Sequence, residues 1–237
     1  MSIASEIARL QSAKADLATS IANKGVTVPA NATLDDYAAL VDSIQQGGSS
    51  LPYDAEVEYL QGDGNAAIST VSVNGNIYIK IHLVDYFTSA FSSEWAFGGR
   101  TGSYSNMFGI SINGNSNKIN FNYNTRILAF DQYNTYPASC DVEINNGTFK
   151  IGTTSHTYSK ESFSSTYKIW LFGLNNGGSL ILNTAKIGSC YISNGTTVMD
   201  LIPVRKNGVG YFYDRITREL KGNETGSGAF IIGPDVV

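Results

Sequence analysis

The sequence predicts a mainly β chain: an antiparallel sandwich or jelly roll behind a short N-terminal helical segment. Three observations carry the prediction. From about residue 53 onward the dominant hydrophobic period is two, the mark of half-buried strands. Six Asn-Gly pairs, at residues 74, 113, 146, 176, 194 and 207, punctuate those runs, and Asn-Gly is a strong hairpin signal because both residues tolerate positive φ. The first two dozen residues instead place apolar side chains at alternating steps of four and three, as one face of a helix does. No strand–helix–strand alternation follows, which leaves meanders joined by tight turns and argues against a parallel α/β sheet.

In MSIASEIARLQSAKADLATSIANKG the stripe is Ile3, Ile7, Leu10, Lys14, Leu17 and Ile21, all apolar except Lys14. The spacing predicts a helix over 3–23, stopped at Lys24-Gly25 with Gly25 as a left-handed cap. With Ile3 at heptad position d, the a positions are Ile7, Lys14 and Ile21, and the d positions are Ile3, Leu10 and Leu17. Ile at a with Leu at d favours two strands, and a Lys at a fixes register at some cost in stability. The small flanking residues Ala4, Ala13 and Ala18 permit a wider interface, so a homodimer is favoured and a trimer stays open. A short helix with such a stripe is marginal alone in water. It is expected to seek another copy; the alternative is folding back on its own chain.

VTVPANA reads as extended, with Pro29 barring helix. Thr33 is the expected N-cap of a second helix over Leu34 to Gln46, with Asp35 and Asp36 at its positive end. Its apolar face is Leu34, Tyr37, Leu40, Val41 and Ile44. The organisation is thus a helical segment at 1–46, a Gly/Ser linker at 47–52 and a β body at 53–237. In the body, NIYIKIHLV turns Ile77, Ile79, Ile81 and Leu83 inward and Tyr78, Lys80 and His82 outward. KINFNY turns Ile119, Phe121 and Tyr123 inward and Lys118, Asn120 and Asn122 outward. AISTVSV, NMFGISI, TFKI, KIWLFGL, KIGSCYIS, TTVMDLIPVRK and GYFYD are further strands.

Charged residues make up 15% of the chain and hydrophobic ones 42%, too apolar for a disordered chain. A net charge of −4 and a pI near 5.1 repel a phosphate backbone, so nucleic acid is not an expected partner. No apolar run approaches a membrane span, and no basic start precedes an apolar core, so neither membrane insertion nor a secretory leader is expected. The sequons at Asn31, Asn146, Asn194 and Asn223 then follow from turn-rich composition. Cys140 and Cys190 lie in strand-like runs and read as two buried thiols.

Few residues have the types and spacing that chemistry needs. Asp54, Glu56 and Glu58 share one side of a strand and read as a solvated edge rather than a glycosidase pair. His82 on an outward face and His156 in a Ser/Thr-rich loop lack metal-ligand or triad partners. Asp63-Gly64-Asn65 has oxygens for calcium, but an Asx turn explains it equally; no cofactor or metal is expected. Trp95 and Tyr104 flank FGGRTG, read as a loop, and with Arg100 form the candidate glycan-binding set, aromatics for stacking and a guanidinium for hydroxyls. Trp170 is assigned to the core. Arg205 and Asp214 are expected to pair across a hairpin turned at Asn207-Gly208.

YDAEVEYLQGDGNAAIS, FGGRTG, WLFGLNNGG and KIGSCYISNGTTVMDLIPVRKNGVGYFYDRITRELKGNETGSGAFIIGPDV together resemble the LamG-like, concanavalin A-like jelly-roll modules common in phages and bacteria of the gut Bacteroidales. The likeness covers about residues 53–237 and is most specific in DLIPVRKNGVGYFYD. The first 46 residues, through KGVTVP and ATLDDY, resemble a short helical unit of phage fibre and baseplate proteins. These resemblances imply a virion component, a head or tail fibre or decoration protein assembled in the host cytoplasm. Its expected partners are itself, other virion proteins and host surface glycans, and no catalytic residue is implied. A free carbohydrate-binding protein is the alternative, and a polysaccharide-degrading enzyme a more distant one.

Overall fold

Ser2 starts the helical unit. Its hydroxyl oxygen accepts a hydrogen bond from the Ser5 amide at 3.2 Å, satisfying one of the N–H groups a helix start leaves unpaired, and α1 runs Ile3–Ala22. The computed structural model describes residues 2–24, 26–42, 51–88, 94–102, 104–113, 116, 118–132 and 135–236. The chain divides into two compact units, Met1–Leu51 and Pro52–Val237. Gly25, Ile44 and the Gly47–Ser50 linker lie outside the described residues.

After α1 the chain turns at Pro29, where the Ala32 amide donates to the Pro29 carbonyl at 3.0 Å. The second helix, α2, spans Asp36–Asp42, starting later than predicted. The capping roles are also reversed: the Asp36 carboxylate accepts from both the Thr33 amide (2.6 Å) and the Thr33 hydroxyl (2.8 Å), and the backbone bond holds the Asp36 carboxyl below its usual pKa. Ile21, Ala32 and Tyr37 form a buried cluster, with Ala18, Val26, Val28 and Leu40 packed against it. Ile21, assigned by the heptad to a seam between chains, is therefore covered by its own chain, and Lys14 is half-buried with its Nζ 6.0 Å from the Tyr37 ring centroid. The turn at Pro29 is the cause, because it brings the following segment onto the C-terminal half of the helix. Ile3, Ile7, Leu10 and Leu17 stay 82%, 52%, 51% and 40% exposed.

The second unit contains β1 (Ala55–Glu56), β2 (Leu60–Gln61), β3 (Ile68–Asn74), β4 (Tyr78–Val84), β5 (Glu94–Arg100), β6 (Met107–Asn113), β7 (Lys118–Asn124), β8 (Arg126–Gln132), β9 (Cys140–Asn145), β10 (Thr148–Ile151), β11 (Thr154–Thr157), β12 (Ser164–Leu171), β13 (Gly173–Asn176), β14 (Ser179–Leu182), β15 (Lys186–Ser193), β16 (Val198–Lys206), β17 (Val209–Asp214), β18 (Glu219–Lys221) and β19 (Ile231–Ile232). One sheet has the order β11-β10-β9-β4-β15-β16-β17-β18, with β1 joined to β16, and β2 to β15 and β19. The other has the order β14-β13-β5-β6-β7-β8, with β12 joining β3 and β5. Among the described residues pairing is antiparallel except between β13 and β5. The sheets share one apolar core; Phe121 of β7 stacks on Phe149 of β10 at 5.1 Å, one ring from each sheet.

Ile77, Ile79, Ile81 and Leu83 are buried as their spacing requires. Asn146-Gly147 and Asn207-Gly208 take positive φ at both residues and close the β9–β10 and β16–β17 hairpins, which is the geometry those dipeptides favour. Four details differ from the sequence reading. FGGRTG is strand through Arg100, because a Cβ on Gly99 would lie 2.6 Å from the Lys168 carbonyl oxygen and one on Gly109 2.5 Å from that of Phe97; the glycines answer to close backbone approach, not to a loop. Trp170 packs against the core but is only half-buried, because Ile169 and Leu171 take the inward positions of β12. Asn122, read as outward, is 2% exposed. Arg205 lies opposite Gly210 in the hairpin and pairs with Asp235 at 2.8 Å, while Asp214 is fully buried and accepts from the Asp200 and Ile216 amides and the Thr217 hydroxyl. Cys140 and Cys190 are buried free thiols; burial pushes Cys140 up to about 11 and raises Cys190 as well.

Gly109→Ala forces its new methyl against the Phe97 carbonyl and should destabilise the fold by about 2 kcal/mol. Urea unfolding checks this, and a change under about 0.5 kcal/mol, the range of neutral surface substitutions, would contradict the close approach.

Candidate functional site

Because β4 buries its odd-numbered side chains from Ile79 to Leu83, Tyr78, Lys80 and His82 face away from the core. Pairing then places residues from distant parts of the chain beside them. Lys80 lies opposite Glu143 of β9 on one side and Tyr191 of β15 on the other, and Tyr191 lies opposite Asp200 of β16. Arg215 follows β17 directly. All of these except Glu143, together with His82, Asp141 and Ser189, line a groove of about 370 Å3 on the outer sheet face. A smaller depression of about 210 Å3 is lined by Glu143, Asn145, Thr148 and Lys150 of β9 and β10.

Charges in the groove are matched at close range. The Asp141 carboxylate lies 2.8 Å from His82 Nδ1 and 3.2 Å from Lys80 Nζ. Asp200 receives Arg215 through two bonds, Nε to Oδ2 at 3.0 Å and Nη2 to Oδ1 at 2.8 Å, the fork geometry that fixes a guanidinium. Partial burial raises the Asp141 pKa, but the hydrogen bonds from His82 and Lys80 outweigh it and the net shift is downward. The bond to Asp141 raises Lys80, and the bond to Asp200 raises Arg215. Between them the Tyr78 and Tyr191 rings stand 5.4 Å apart and tilted by 55°. Burial, then the neighbouring Glu143, raises Tyr78, so its ring stays a neutral phenol at ordinary pH. The groove therefore offers two aromatic faces ringed by fixed donors and acceptors.

The residues chosen from sequence are arranged differently. Arg100, at the end of β5, donates from Nε to Asn176 Oδ1 at 2.7 Å, and its guanidinium lies 4.9 Å from the Tyr104 ring centroid. Tyr104 is 58% exposed, but one face of its ring is taken by that cation. Trp95 stands near the start of β5, with its indole over Gly98 and Gly109, where it covers bare backbone. Structure thus joins Arg100 to Tyr104 and gives Trp95 a packing role of its own. Asp54 accepts from the Asn207 amide at 2.6 Å and Glu56 from the Tyr53 hydroxyl at 2.9 Å, so two of the three alternating acids pin the edge. His156 lies in β11, not a loop, 3.1 Å from the Tyr136 hydroxyl. Asp63 accepts from the Asn65, Ala66 and Ala229 amides, each at 2.8 Å, an Asx-type clamp. Among the described residues no group of three or more His, Cys, Asp and Glu is placed to hold a metal ion, and no helix is long and apolar enough to cross a membrane.

Sequence reasoning found Tyr78, Lys80 and His82 on an outward face but not the groove. The available signal was the same alternation in SCDVEI and KIGSCYIS, which needs the strand order before it becomes a site.

The depressed Asp141 contributes stability above its unfolded pKa of about 3.9 and loses it as pH falls through the lower folded value. The raised Lys80 contributes below about 10.4 and loses it as pH rises through the higher folded value. The pair is therefore intact across roughly pH 4 to 10. In a 13C titration, Asp141 should titrate below about 3.9, and its midpoint should move upward in Lys80→Met and in His82→Ala; unmoved midpoints would contradict the network.

No protein-family model matches the chain and no curated protein matches it, so a functional reading stands on the fold and this geometry.

Proposed function

We propose that this protein is a non-enzymatic saccharide-recognising surface component of a bacteriophage particle: a LamG-like jelly roll displayed in several copies by its N-terminal helices. The observation that carries the reading is the groove on the outer sheet face, with two tyrosine rings between fixed hydrogen-bonding groups. Aromatic faces take the C–H surface of a sugar while charged donors and acceptors take its hydroxyls. The likeness of KGVTVP and ATLDDY to phage helical units supports the particle context, as does that of DLIPVRKNGVGYFYD to phage jelly rolls.

Binding is favoured over hydrolysis by the state of the carboxylates. Glycosidases need one carboxylic acid whose pKa is raised to hold a proton. Asp141 is shifted the other way, and both oxygens of Asp200 are committed to Arg215. Multiple copies are supported by the open stripe of Ile3, Ile7, Leu10 and Leu17 on a helix whose one buried residue is Ile21. Glu6 and Asp16 balance Arg9 and Lys14 along that helix, so identical copies do not repel. Weak contacts made by each copy would then combine through avidity.

A glycan array probed with the full chain should return saccharide ligands; silence across host-surface and common glycans would overturn the reading. In sedimentation at micromolar concentration the chain should run as an oligomer and Leu10→Asp as a single chain. A monomeric parent protein would remove the multiple-copy half of the proposal.

A further inference from the structure

We infer that the ligand of this sheet face is an uncharged, extended oligosaccharide lying across the strands. The inference rests on the saccharide reading above and adds the ligand's charge, length and direction. Register sets up one transverse row: Lys150 lies opposite Glu143, Glu143 opposite Lys80, Lys80 opposite Tyr191, and Tyr191 opposite Asp200. The row crosses β10, β9, β4, β15 and β16. Neighbouring strands stand about 4.8 Å apart, so it runs for roughly 19 Å, longer than one sugar ring. The two depressions lie along it, with Glu143 at the wall of the smaller one and Lys80, Tyr191 and Asp200 in the larger.

The row alternates in chemistry. Lys150 and Lys80 only donate, Glu143 and Asp200 only accept, and Tyr191 supplies a ring between Lys80 and Asp200. A hydroxyl is both donor and acceptor, so a chain of vicinal hydroxyls meets a matching group at each strand. Charge decides against an acidic ligand. Lys80, Lys150 and Arg215 are balanced by Asp141, Glu143 and Asp200; Lys80 lies 3.2 Å from Asp141 and Arg215 2.8 Å from Asp200. In the larger groove a uronate or sulfate would have to take Lys80 or Arg215 from its carboxylate and leave that carboxylate uncompensated beside it. A neutral hydroxyl bridges each pair without breaking it.

Calorimetry with the full chain tests this, using neutral oligosaccharides of one to six rings and their uronate-containing counterparts. Affinity should rise with length, and the acidic counterparts should bind at least about tenfold more weakly. Tyr191→Ala should weaken neutral binding by about tenfold or more, while Tyr191→Phe, which keeps the ring, should retain most of it with an unchanged circular dichroism spectrum. Preference for acidic members, or equal affinity for one ring and six, would overturn the inference and leave saccharide recognition standing. Binding of no saccharide would overturn both.

Discussion

Burial of Ile79, Ile81 and Leu83 sets the position of everything on the outer sheet face. Each is fully enclosed, and burying one such side chain is worth about 1.5–3 kcal/mol. Side chains alternate with a period of two, so a one-residue slip of β4 would carry Tyr78, Lys80 and His82 into the core and the three aliphatic residues into water. Uncompensated burial of the lysine alone would be prohibitive. The apolar side of one strand therefore fixes, with no slack, which polar groups its other side presents. The strands on either side inherit the same rule: Val142 and Ile144 are buried while Asp141 and Glu143 point outward, and Cys190 and Ile192 are buried while Tyr191 points outward.

The two sheets use aromatic residues in opposite ways. On the second sheet, a Cβ at Gly99 or Gly109 would run into a neighbouring backbone carbonyl and one at Gly98 into the Trp95 ring, and Trp95 lies over Gly98 and Gly109. That ring restores apolar cover that the missing side chains cannot give, and so it is spent on stability. On the first sheet, the Tyr78 and Tyr191 rings stand 5.4 Å apart and border a groove. Carboxylates divide in the same way. Asp63 and Asp214 turn their oxygens on backbone amides, of their own turns and of distant segments brought beside them, whereas Asp141 and Asp200 hold side-chain cations at the surface.

What the sequence could reveal follows the range of each interaction. Alternation in NIYIKIHLV and turn chemistry at Asn146-Gly147 and Asn207-Gly208 are local, and the strands, inward faces and hairpins they predict are all present. Strand order is not local. His82 meets Asp141, and Lys80 meets Tyr191, across separations that no pattern along the chain encodes, so the outward residues of β4 were visible while their partners were not. Glycine is ambiguous by nature: Gly99 resembles a loop residue until the Lys168 carbonyl beside it is seen. The Arg205–Asp214 expectation took the right turn but the wrong register. With Asn207-Gly208 as a two-residue loop, Arg205 faces Gly210 and Leu201 faces Asp214.

The helical stripe is where local pattern and tertiary packing compete. A preference for two strands drew on isoleucine at the a positions, yet Ile21 lies in its own chain's cluster and Lys14 lies beside Tyr37. Two of the three a layers therefore already have an occupant. What remains open is Ile7 and the d residues Ile3, Leu10 and Leu17, a narrower ridge concentrated toward the N-terminus. Knobs-into-holes packing over the whole helix would require Tyr37 to leave Ile21, exposing one apolar cluster to build another. An interface confined to the open ridge requires no such exchange. The heptad rule for choosing dimer or trimer assumes that every a and d position faces a neighbouring helix, and here that assumption fails at Lys14 and Ile21.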